Sequence, residues 1–307
     1  MKIRLLIFLT LTAYTVIGKP IHSSEAVAIG GIMQWMTFQG EDDQAPVLLF
    51  IHGGPGNSVI GYADTFTAEL KKHFIVVQWD QRESGKTRTL NTSREPLTVS
   101  IFLSDAVETI NFLSARFKQE TIYVMGHSWG GYLALRVAAK IPDKIRGLIA
   151  ISPMVHQVES ERLSLQVLRD TARVKQNQEA ITELAQVEIP FQNSAELFYH
   201  RKWLSKLMHS TTPTRSRVEQ WSQTWLTLFN DASQTNFLTD ATELKCPVYF
   251  LIGSRDYQTY FKLTETYYQQ VDCPEKNLYW FTQSAHNPHL TEPKKFQQTV
   301  INIKNKN

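Results

Sequence analysis

A serine between two glycines, in the segment Gly-His-Ser-Trp-Gly at residues 126–130, has the setting of a catalytic nucleophile. The segment separates an apolar run at 121–125 from a helical pattern that begins at Trp129. A serine on such a tight strand-to-helix turn adopts strained backbone angles, and the flanking glycines leave room for the turn. The turn sets the Ser128 hydroxyl at a helix N-terminus, where backbone N–H groups favour developing negative charge. We therefore predict that Ser128 is the nucleophile of a hydrolytic enzyme.

A serine hydroxyl is a weak nucleophile at neutral pH and needs a base to accept its proton. His286 follows the last strand-like run by a short loop, which would place its imidazole at the edge of a sheet. His289 is its nearest rival, but it lies further along and just before the closing helix. Asp256 follows the preceding strand-like run and is suited to orient the imidazole. The chain order serine, aspartate, histidine is that of the α/β-hydrolase fold, so we predict a Ser128–Asp256–His286 triad.

The oxyanion that forms during acyl transfer needs hydrogen-bond donors as well. Trp129, directly after the nucleophile, is expected to supply one backbone N–H. We predict that Gly54 supplies the second, because it lies in a Gly-Gly-Pro turn after the apolar run at 47–51. A phosphate-binding loop is excluded here, since no Gly-Lys-Ser/Thr follows the turn.

Apolar runs and helical patterns alternate on both sides of these residues. Continuous apolar runs are typical of strands covered on both faces, so the alternation predicts a mainly parallel sheet with helices on both faces. After an opening antiparallel pair within 24–39, we predict strands at 47–51, 74–79, 121–125, 145–151, 247–253 and 277–281, and helices at 67–73, 99–117, 129–140 and 292–303.

The alternation stops between Met154 and Glu243, where no buried-strand run occurs and helical patterns recur. We interpret this segment as a helical cap inserted between two strands of the sheet. The predicted organisation is a signal peptide at 1–18, a catalytic domain formed by 19–153 and 244–307, and a helical cap at 154–243.

The first 18 residues have the pattern of an export signal. Lys2 and Arg4 precede an apolar stretch at 5–17, which is shorter than the roughly 20 residues that a helix needs to cross a bilayer. We expect an exported protein, periplasmic or secreted, without a stable membrane anchor, and an uncleaved N-terminal anchor is the alternative. Loss of Lys2 and Arg4 with this segment lowers the formal charge from +3 to +1, which gives no reason to expect a nucleic-acid partner.

The two cysteines, Cys246 and Cys273, each lie just before a predicted strand. If these strands are parallel neighbours, both thiols lie at the same end of the sheet. The sequence then gives equal support to a disulfide between them and to two free thiols. No ligand spacing indicates a zinc site, and no cofactor is expected.

Three segments together resemble the proline iminopeptidases (prolyl aminopeptidases) of the α/β-hydrolase fold. The resemblance implies an enzyme that releases N-terminal residues, often proline, from small peptides through an acyl-enzyme. It implies the triad and oxyanion roles given above, and it adds Asp80 and Arg82 as support for the oxyanion loop. The three segments are His-Gly-Gly-Pro-Gly at 52–56, Trp-Asp-Gln-Arg-Glu-Ser-Gly at 79–85 and Gly-His-Ser-Trp-Gly-Gly at 126–131.

The chain departs from that family's pattern at positions that bear on the substrate. Glu83 and His127 each replace a glycine, and Leu226 follows the Trp-Ser-Gln-Thr-Trp segment where the family commonly has a glutamate that binds the substrate's amino group. A buried ammonium group without an acidic partner is costly, so another acid would have to take this role. The candidates are Glu83, Glu159, Glu161 and Glu196.

We therefore predict a serine hydrolase that acts through an acyl-enzyme, as an aminopeptidase of the proline iminopeptidase type on short peptides. A carboxylesterase or other acyl hydrolase with an apolar capped pocket is the alternative, because the Gly-His-Ser-Trp-Gly elbow is common among esterases. A non-catalytic binding protein on a hydrolase scaffold is a third hypothesis, against which the complete triad argues. The expected partner is a small peptide or ester substrate.

Overall fold

The structure is a computed structural model that describes residues 18–91 and 95–306. Residues 1–17, which form most of the predicted signal peptide, lie outside the described residues. Eight strands form one sheet in the order β1-β2-β4-β3-β5-β6-β7-β8. The strands are β1 (Ile21–Ile29), β2 (Ile32–Gly40), β3 (Val47–Ile51), β4 (Ile75–Trp79), β5 (Ile122–His127), β6 (Ile145–Ile151), β7 (Val248–Gly253) and β8 (Lys276–Phe281).

The sheet is mainly parallel, as predicted. β1 pairs with β2 and β2 pairs with β4 in antiparallel orientation, and every other pairing is parallel. All residues of β3, β4, β5 and β7 are buried, because apolar side chains cover both faces. In β3, Leu49 and Ile51 pack into the core on one face of the sheet. Leu48 and Phe50 pack into the core on the other face.

Helices cover both faces of this sheet. The buried side chains of α3, α4 and α10 join the core on one face, and those of α1 and α12 join the core on the other. The predicted helix at 67–73 is instead two short turns, α1 and a 3-10 helix at Leu70–Lys72. These helices and their shorter neighbours are α1 (Asp64–Thr67), α2 (Gly85–Leu90), α3 (Val99–Phe117), α4 (Trp129–Lys140), α10 (Phe261–Gln270), α11 (Pro288–Thr291) and α12 (Pro293–Lys306).

Five helices separate β6 from β7 in the chain, and we refer to residues 154–243 as the cap. The described cap residues form no strand, only two isolated bridges, between His156 and Asn236 and between Glu243 and Asp272. The division of the chain into a catalytic domain and a cap domain stays a prediction. The cap helices are α5 (Gln157–Val174), α6 (Gln178–Ala185), α7 (Ser194–Leu207), α8 (Arg215–Ser233) and α9 (Phe237–Asp240).

The two cysteines precede β7 and β8, and these strands are parallel neighbours. Both Cys246 and Cys273 are free thiols in the structure. Burial, together with the nearby Cys273, raises the pKa of the Cys246 thiol to about 12, so this thiol stays protonated at neutral pH.

Within the described part of the chain, no helix is both long enough and apolar enough to cross a bilayer.

Candidate active site

Ser128 lies on a tight turn between β5 and α4. Its φ of 55° and ψ of −115° are costly for a residue with a side chain. A Cβ atom on Gly126 would lie 2.2 Å from the carbonyl oxygen of Gly130, and one on Gly130 would lie 2.0 Å from that of Ile51. The neighbouring backbones therefore approach too closely for any residue but glycine. The strand–turn–helix setting predicted for Ser128 is present.

Asp256 follows β7, and its carboxylate is fully engaged. Oδ2 accepts hydrogen bonds from His286 Nδ1 at 3.0 Å and from the Thr259 hydroxyl at 2.8 Å. Oδ1 accepts from the backbone N–H groups of Gln258 at 2.9 Å and Thr259 at 3.1 Å. Burial by itself would raise the pKa of this carboxyl, but the imidazole and the hydrogen bonds outweigh it and lower the pKa to about 2. Asp256 is therefore ionised throughout the neutral pH range.

His286 shares one cleft with Ser128. Because Nδ1 donates to a carboxylate, a neutral imidazole has its free lone pair on Nε2. Ser128 and His286, 5% and 6% exposed, both line a cleft of about 1000 Å³. The described residues show no hydrogen bond between the Ser128 hydroxyl and this ring. Such contacts often tighten only when substrate is bound.

The loop after β3 approaches the same cleft. Gly54 lines it and has a φ of 122°, and a Cβ there would lie 2.6 Å from the backbone nitrogen of Gly56. Gly56 in turn lies against the indole of Trp225 in the cap, 2.5 Å from where its own Cβ would be. Trp129 is the first residue of α4, so its N–H has no helical carbonyl to bind. The two predicted oxyanion donors thus lie beside the nucleophile.

Of the two residues expected to support this loop, only Asp80 forms hydrogen bonds next to it. Asp80 accepts a hydrogen bond from the Ser58 hydroxyl, next to the loop, and one of 2.7 Å from the backbone N–H of Lys86. The guanidinium of Arg82 instead pairs with Asp105 of α3 and donates to the carbonyl oxygen of Gly30. Buried Asp105 would otherwise lack a cation. Arg82 therefore holds the β1–β2 turn, which corrects its predicted place at the oxyanion loop.

Two residues without a predicted role join the loop to the nucleophile turn. His52 donates through Nδ1 to the Gly53 carbonyl oxygen at 2.9 Å. The Gln81 side chain donates to the His52 carbonyl oxygen at 2.9 Å and accepts from the indole N–H of Trp129 at 3.0 Å. Both residues lie inside the sequence segments quoted above, and that membership is the signal that could have identified them.

A row of ring contacts joins His286 to two further buried histidines, His127 and then His289. His127, which precedes the nucleophile, donates through Nε2 to the His286 carbonyl oxygen at 2.9 Å. Its ring centroid lies 4.8 Å from that of His286 and 4.5 Å from that of His289. Burial and the nearby His286 lower the pKa of His127 to about 3, so this ring is neutral. His289, the rival base, packs edge-on against Phe66 with a centroid distance of 4.9 Å and does not contact the Asp256 carboxylate.

These neighbouring histidines do not form a metal site. Within residues 18–91 and 95–306, no group of three or more His, Cys, Asp or Glu side chains is placed to hold a metal ion.

None of the four candidate glutamates lines the cleft. Glu161 is buried, but it forms a salt bridge with Arg201 through two contacts of 2.7 and 2.5 Å. Glu196 accepts hydrogen bonds from the backbone N–H of Gln192 and the side-chain amide of Asn193, which directly precede its own helix α7. Glu83 and Glu159 are 3.9 and 3.7 Å from arginine side chains. Each of these acids already has partners within the protein.

One residue of the cleft wall has a buried acceptor without a partner among the described residues instead. Gln157 lines the cleft, and its Nε2 donates to Glu161 Oε1 at 2.7 Å and to the Gln258 carbonyl oxygen at 2.9 Å. These two acceptors fix the orientation of the amide. Its Oε1 is buried and has no hydrogen-bond partner among the described residues. A buried oxygen without a donor is costly, so this position favours a ligand that brings an N–H or O–H group.

Comparison with known proteins identifies the family. Residues 42–294 match the family described as serine aminopeptidase, S33. The chain belongs to this family. It is 30% identical to the "Probable aminopeptidase YbaC" of Bacillus subtilis (strain 168), over 92% of this chain and 96% of that protein. It is 24% identical to the proline iminopeptidase of Heyndrickxia coagulans, over 88% of this chain and 94% of that protein.

Among solved structures, the proline iminopeptidase of Mycobacterium smegmatis is similar, with a TM-score of 0.63 at 19% identity over 92% of this chain and 97% of that one. This similarity confirms the predicted α/β-hydrolase fold. Together with membership of the serine aminopeptidase family, it identifies the protein as a serine hydrolase of the aminopeptidase type.

Proposed function

We propose that this enzyme releases N-terminal residues, proline among them, from short peptides. In this proposal Ser128 is the nucleophile, His286 the general base and Asp256 the residue that orients the base. The observation that carries it is the 3.0 Å hydrogen bond from His286 Nδ1 to a buried carboxylate, on the wall of the cleft that Ser128 also lines. The names of the relatives, aminopeptidase and proline iminopeptidase, support the choice of substrate.

The geometry accounts for both halves of the reaction. His286 Nε2 takes the proton of Ser128 as Oγ attacks the carbonyl carbon of the scissile amide. The backbone N–H groups of Gly54 and Trp129 stabilise the resulting oxyanion. The imidazolium, held by Asp256, then gives its proton to the leaving amine. Water attacks the acyl-enzyme in the same way, which releases the N-terminal residue and restores the serine.

Gln157 is our candidate for the group that binds the substrate's amino group. Its free Oε1 is an acceptor, and its amide nitrogen donates to the buried carboxylate of Glu161. The hydrogen bond to Glu161 polarises the Gln157 amide and makes its oxygen a better acceptor.

The test is hydrolysis of proline β-naphthylamide beside short p-nitrophenyl esters, by the wild-type enzyme and by Ser128→Ala. We expect turnover of the amide, abolished in the variant. Ester turnover without amide turnover would contradict the aminopeptidase proposal and support a carboxylesterase.

A carboxylesterase is the second candidate, and one observation favours it: the described residues that line the cleft include no carboxylate for an ammonium group. Gln157→Leu distinguishes the two. If Gln157 binds the amino group, the variant loses kcat/KM on proline β-naphthylamide by about 10-fold and keeps its rate on p-nitrophenyl acetate. Equal losses on both substrates would show that Gln157 acts only on the structure of the cap.

We also propose that the protein is exported, on the basis of the charged and apolar pattern at residues 1–18. Terminal sequencing of the protein recovered from outside the cytoplasm should begin near residue 19. A chain that keeps Met1 and stays in the cytoplasm would contradict this proposal.

A further inference from the structure

The cleft wall has an excess of positive charge. Among the described residues that line it are three arginines, Arg201, Arg217 and Arg255, and no aspartate or glutamate. Arg201 is neutralised by its two contacts with Glu161. Arg217 and Arg255 are exposed, so water or a bound anion can balance their charges.

Among the described residues, neither of these two guanidinium groups has an acidic partner. Arg255 donates to the carbonyl oxygen of Gln283 at 2.9 Å, which is a neutral acceptor. Arg217 makes no side-chain hydrogen bond or ion pair within residues 18–91 and 95–306. Arg215, two residues away on the same helix, shows the usual alternative, because it pairs with Glu219 at 3.1 Å and does not line the cleft.

The position of Arg255 relates it to the leaving group of the reaction. His286 has to reach the leaving amine to protonate it, so the leaving group extends towards the loop that carries His286. Gln283, to which Arg255 is bonded, belongs to that same loop between β8 and α11. Arg217 approaches the cleft from the cap, since α8 contacts the oxyanion loop through a 2.9 Å hydrogen bond from Trp221 Nε1 to the Pro55 carbonyl oxygen.

We propose that Arg217 and Arg255 form a subsite for the C-terminal carboxylate of short peptide substrates. The inference rests on the proposed function and specifies its substrate class. A guanidinium group binds a carboxylate through two parallel hydrogen bonds, so it selects planar anions over neutral amides. In a dipeptide or tripeptide that carboxylate lies one or two residues beyond the scissile bond. Longer peptides carry it too far away, so the subsite selects for short chains.

The experiment compares Pro-Ala with Pro-Ala-amide, which share the scissile bond and differ in the terminal charge. We expect kcat/KM to favour the free carboxylate by about 10-fold or more in the wild-type enzyme, the usual effect of a hydrogen bond to a charged group. The double variant Arg217→Gln/Arg255→Gln should bring the two rates close together. Arg215→Gln removes the same charge from the same helix and should keep the preference.

A second pair of substrates separates this inference from the aminopeptidase proposal. The acetate ester of 4-hydroxyphenylacetic acid and the same ester of its amide carry the charge or the neutral group on the leaving side, and any serine hydrolase of this fold can cleave them. An arginine-dependent preference in the esters, without cleavage of either dipeptide, would support the subsite and reject the aminopeptidase. The subsite would be overturned if the acid and the amide of each cleaved substrate pair reacted at equal rates. A preference for the acid that survives in the double variant would also overturn it.

Discussion

Two buried carboxylates in this enzyme each contact a histidine, yet their surroundings differ. Asp256, at the edge of the sheet, has backbone N–H groups, one hydroxyl and the imidazole of His286 as partners. Glu161, in the cap, has the guanidinium of Arg201 at 2.5 Å and the imidazole of His200 at 3.6 Å. Only the second carboxylate has a permanent cation beside it.

The difference explains why only one of the two pairs is suited to catalysis. Arg201 balances the charge of Glu161, and burial lowers the pKa of His200 to about 4, so His200 stays neutral. Asp256 has no guanidinium among its partners, and in the proposed mechanism its negative charge stabilises the imidazolium that forms on His286. The negative charge of Asp256 is therefore available to a cation that forms beside it, whereas the charge of Glu161 is already balanced by Arg201.

The largest expected effect comes from removing the negative charge at the sheet edge. Asp256→Asn should lower kcat by about 10⁴-fold, because the imidazole loses both its preferred tautomer and the charge that stabilises its protonated form. The measurement is kcat on proline β-naphthylamide, with circular dichroism to show that the fold is retained. A kcat within tenfold of the wild-type value would contradict the role of Asp256.

In the cap, removing the cation beside Glu161 should affect the stability of the protein. Arg201→Met leaves the charge of Glu161 buried without a cation, which should lower the free energy of unfolding by about 3–5 kcal/mol. The double variant Glu161→Leu/Arg201→Met should recover most of that loss, since no charge remains buried. Urea unfolding of both variants measures the effect. A single variant as stable as the wild type would show that the cap does not depend on this pair.

The neutral histidines predict a loss of stability in acid. The pKa of His200 is about 4 in the folded protein and near 6.5 in its ordinary state, so the unfolded chain binds a proton that the folded chain does not. Stability is therefore full above about pH 6.5 and falls towards pH 4, by roughly 1.4 kcal/mol per pH unit for each such histidine. His127 contributes with the same sign.

The pH dependence of urea unfolding tests this. Between about pH 7 and pH 5 the wild-type free energy of unfolding should fall, and His200→Gln should show a smaller slope because it lacks one titrating ring. Identical slopes for the two proteins would exclude His200 as a source of the effect.

The smallest expected effect is at Thr259, whose hydroxyl donates to Asp256 Oδ2 at 2.8 Å. Thr259→Val removes one hydrogen bond to a charged group, so kcat should fall by about 10-fold, far less than in Asp256→Asn. Thr259→Ser keeps the hydroxyl and should keep most of the activity. Equal losses in the two variants would point to packing instead of the hydrogen bond.

Much of the fold was predictable, because the parallel strands are continuous apolar runs. Predicted strands at 47–51 and 145–151 match β3 and β6, and each triad residue follows a strand, where the sheet topology brings the ends together. The helix α7 was not predictable in this way. Its buried face contains Glu196 and His200, which interrupt the apolar periodicity that marks a helix in the sequence.

The contacts that hold the site in place were harder to predict than its reacting groups. Motifs indicated that Asp80 and Arg82 matter, but the partner of Arg82 is decided by packing against α3, where Asp105 lies on the buried face. Gln81 likewise gains its role only when β3, β4 and the nucleophile turn come together. Long-range contacts of this kind have no periodic signal in the sequence.

The contacts of α8 with the oxyanion loop have a mechanical consequence. Trp221 is bonded to the Pro55 carbonyl oxygen, and Trp225 is packed against Gly56, so the roof of the cleft and the loop that bears Gly54 are one linked unit. Any movement of α8 away from the cleft would therefore also move the loop that bears Gly54, the predicted oxyanion donor.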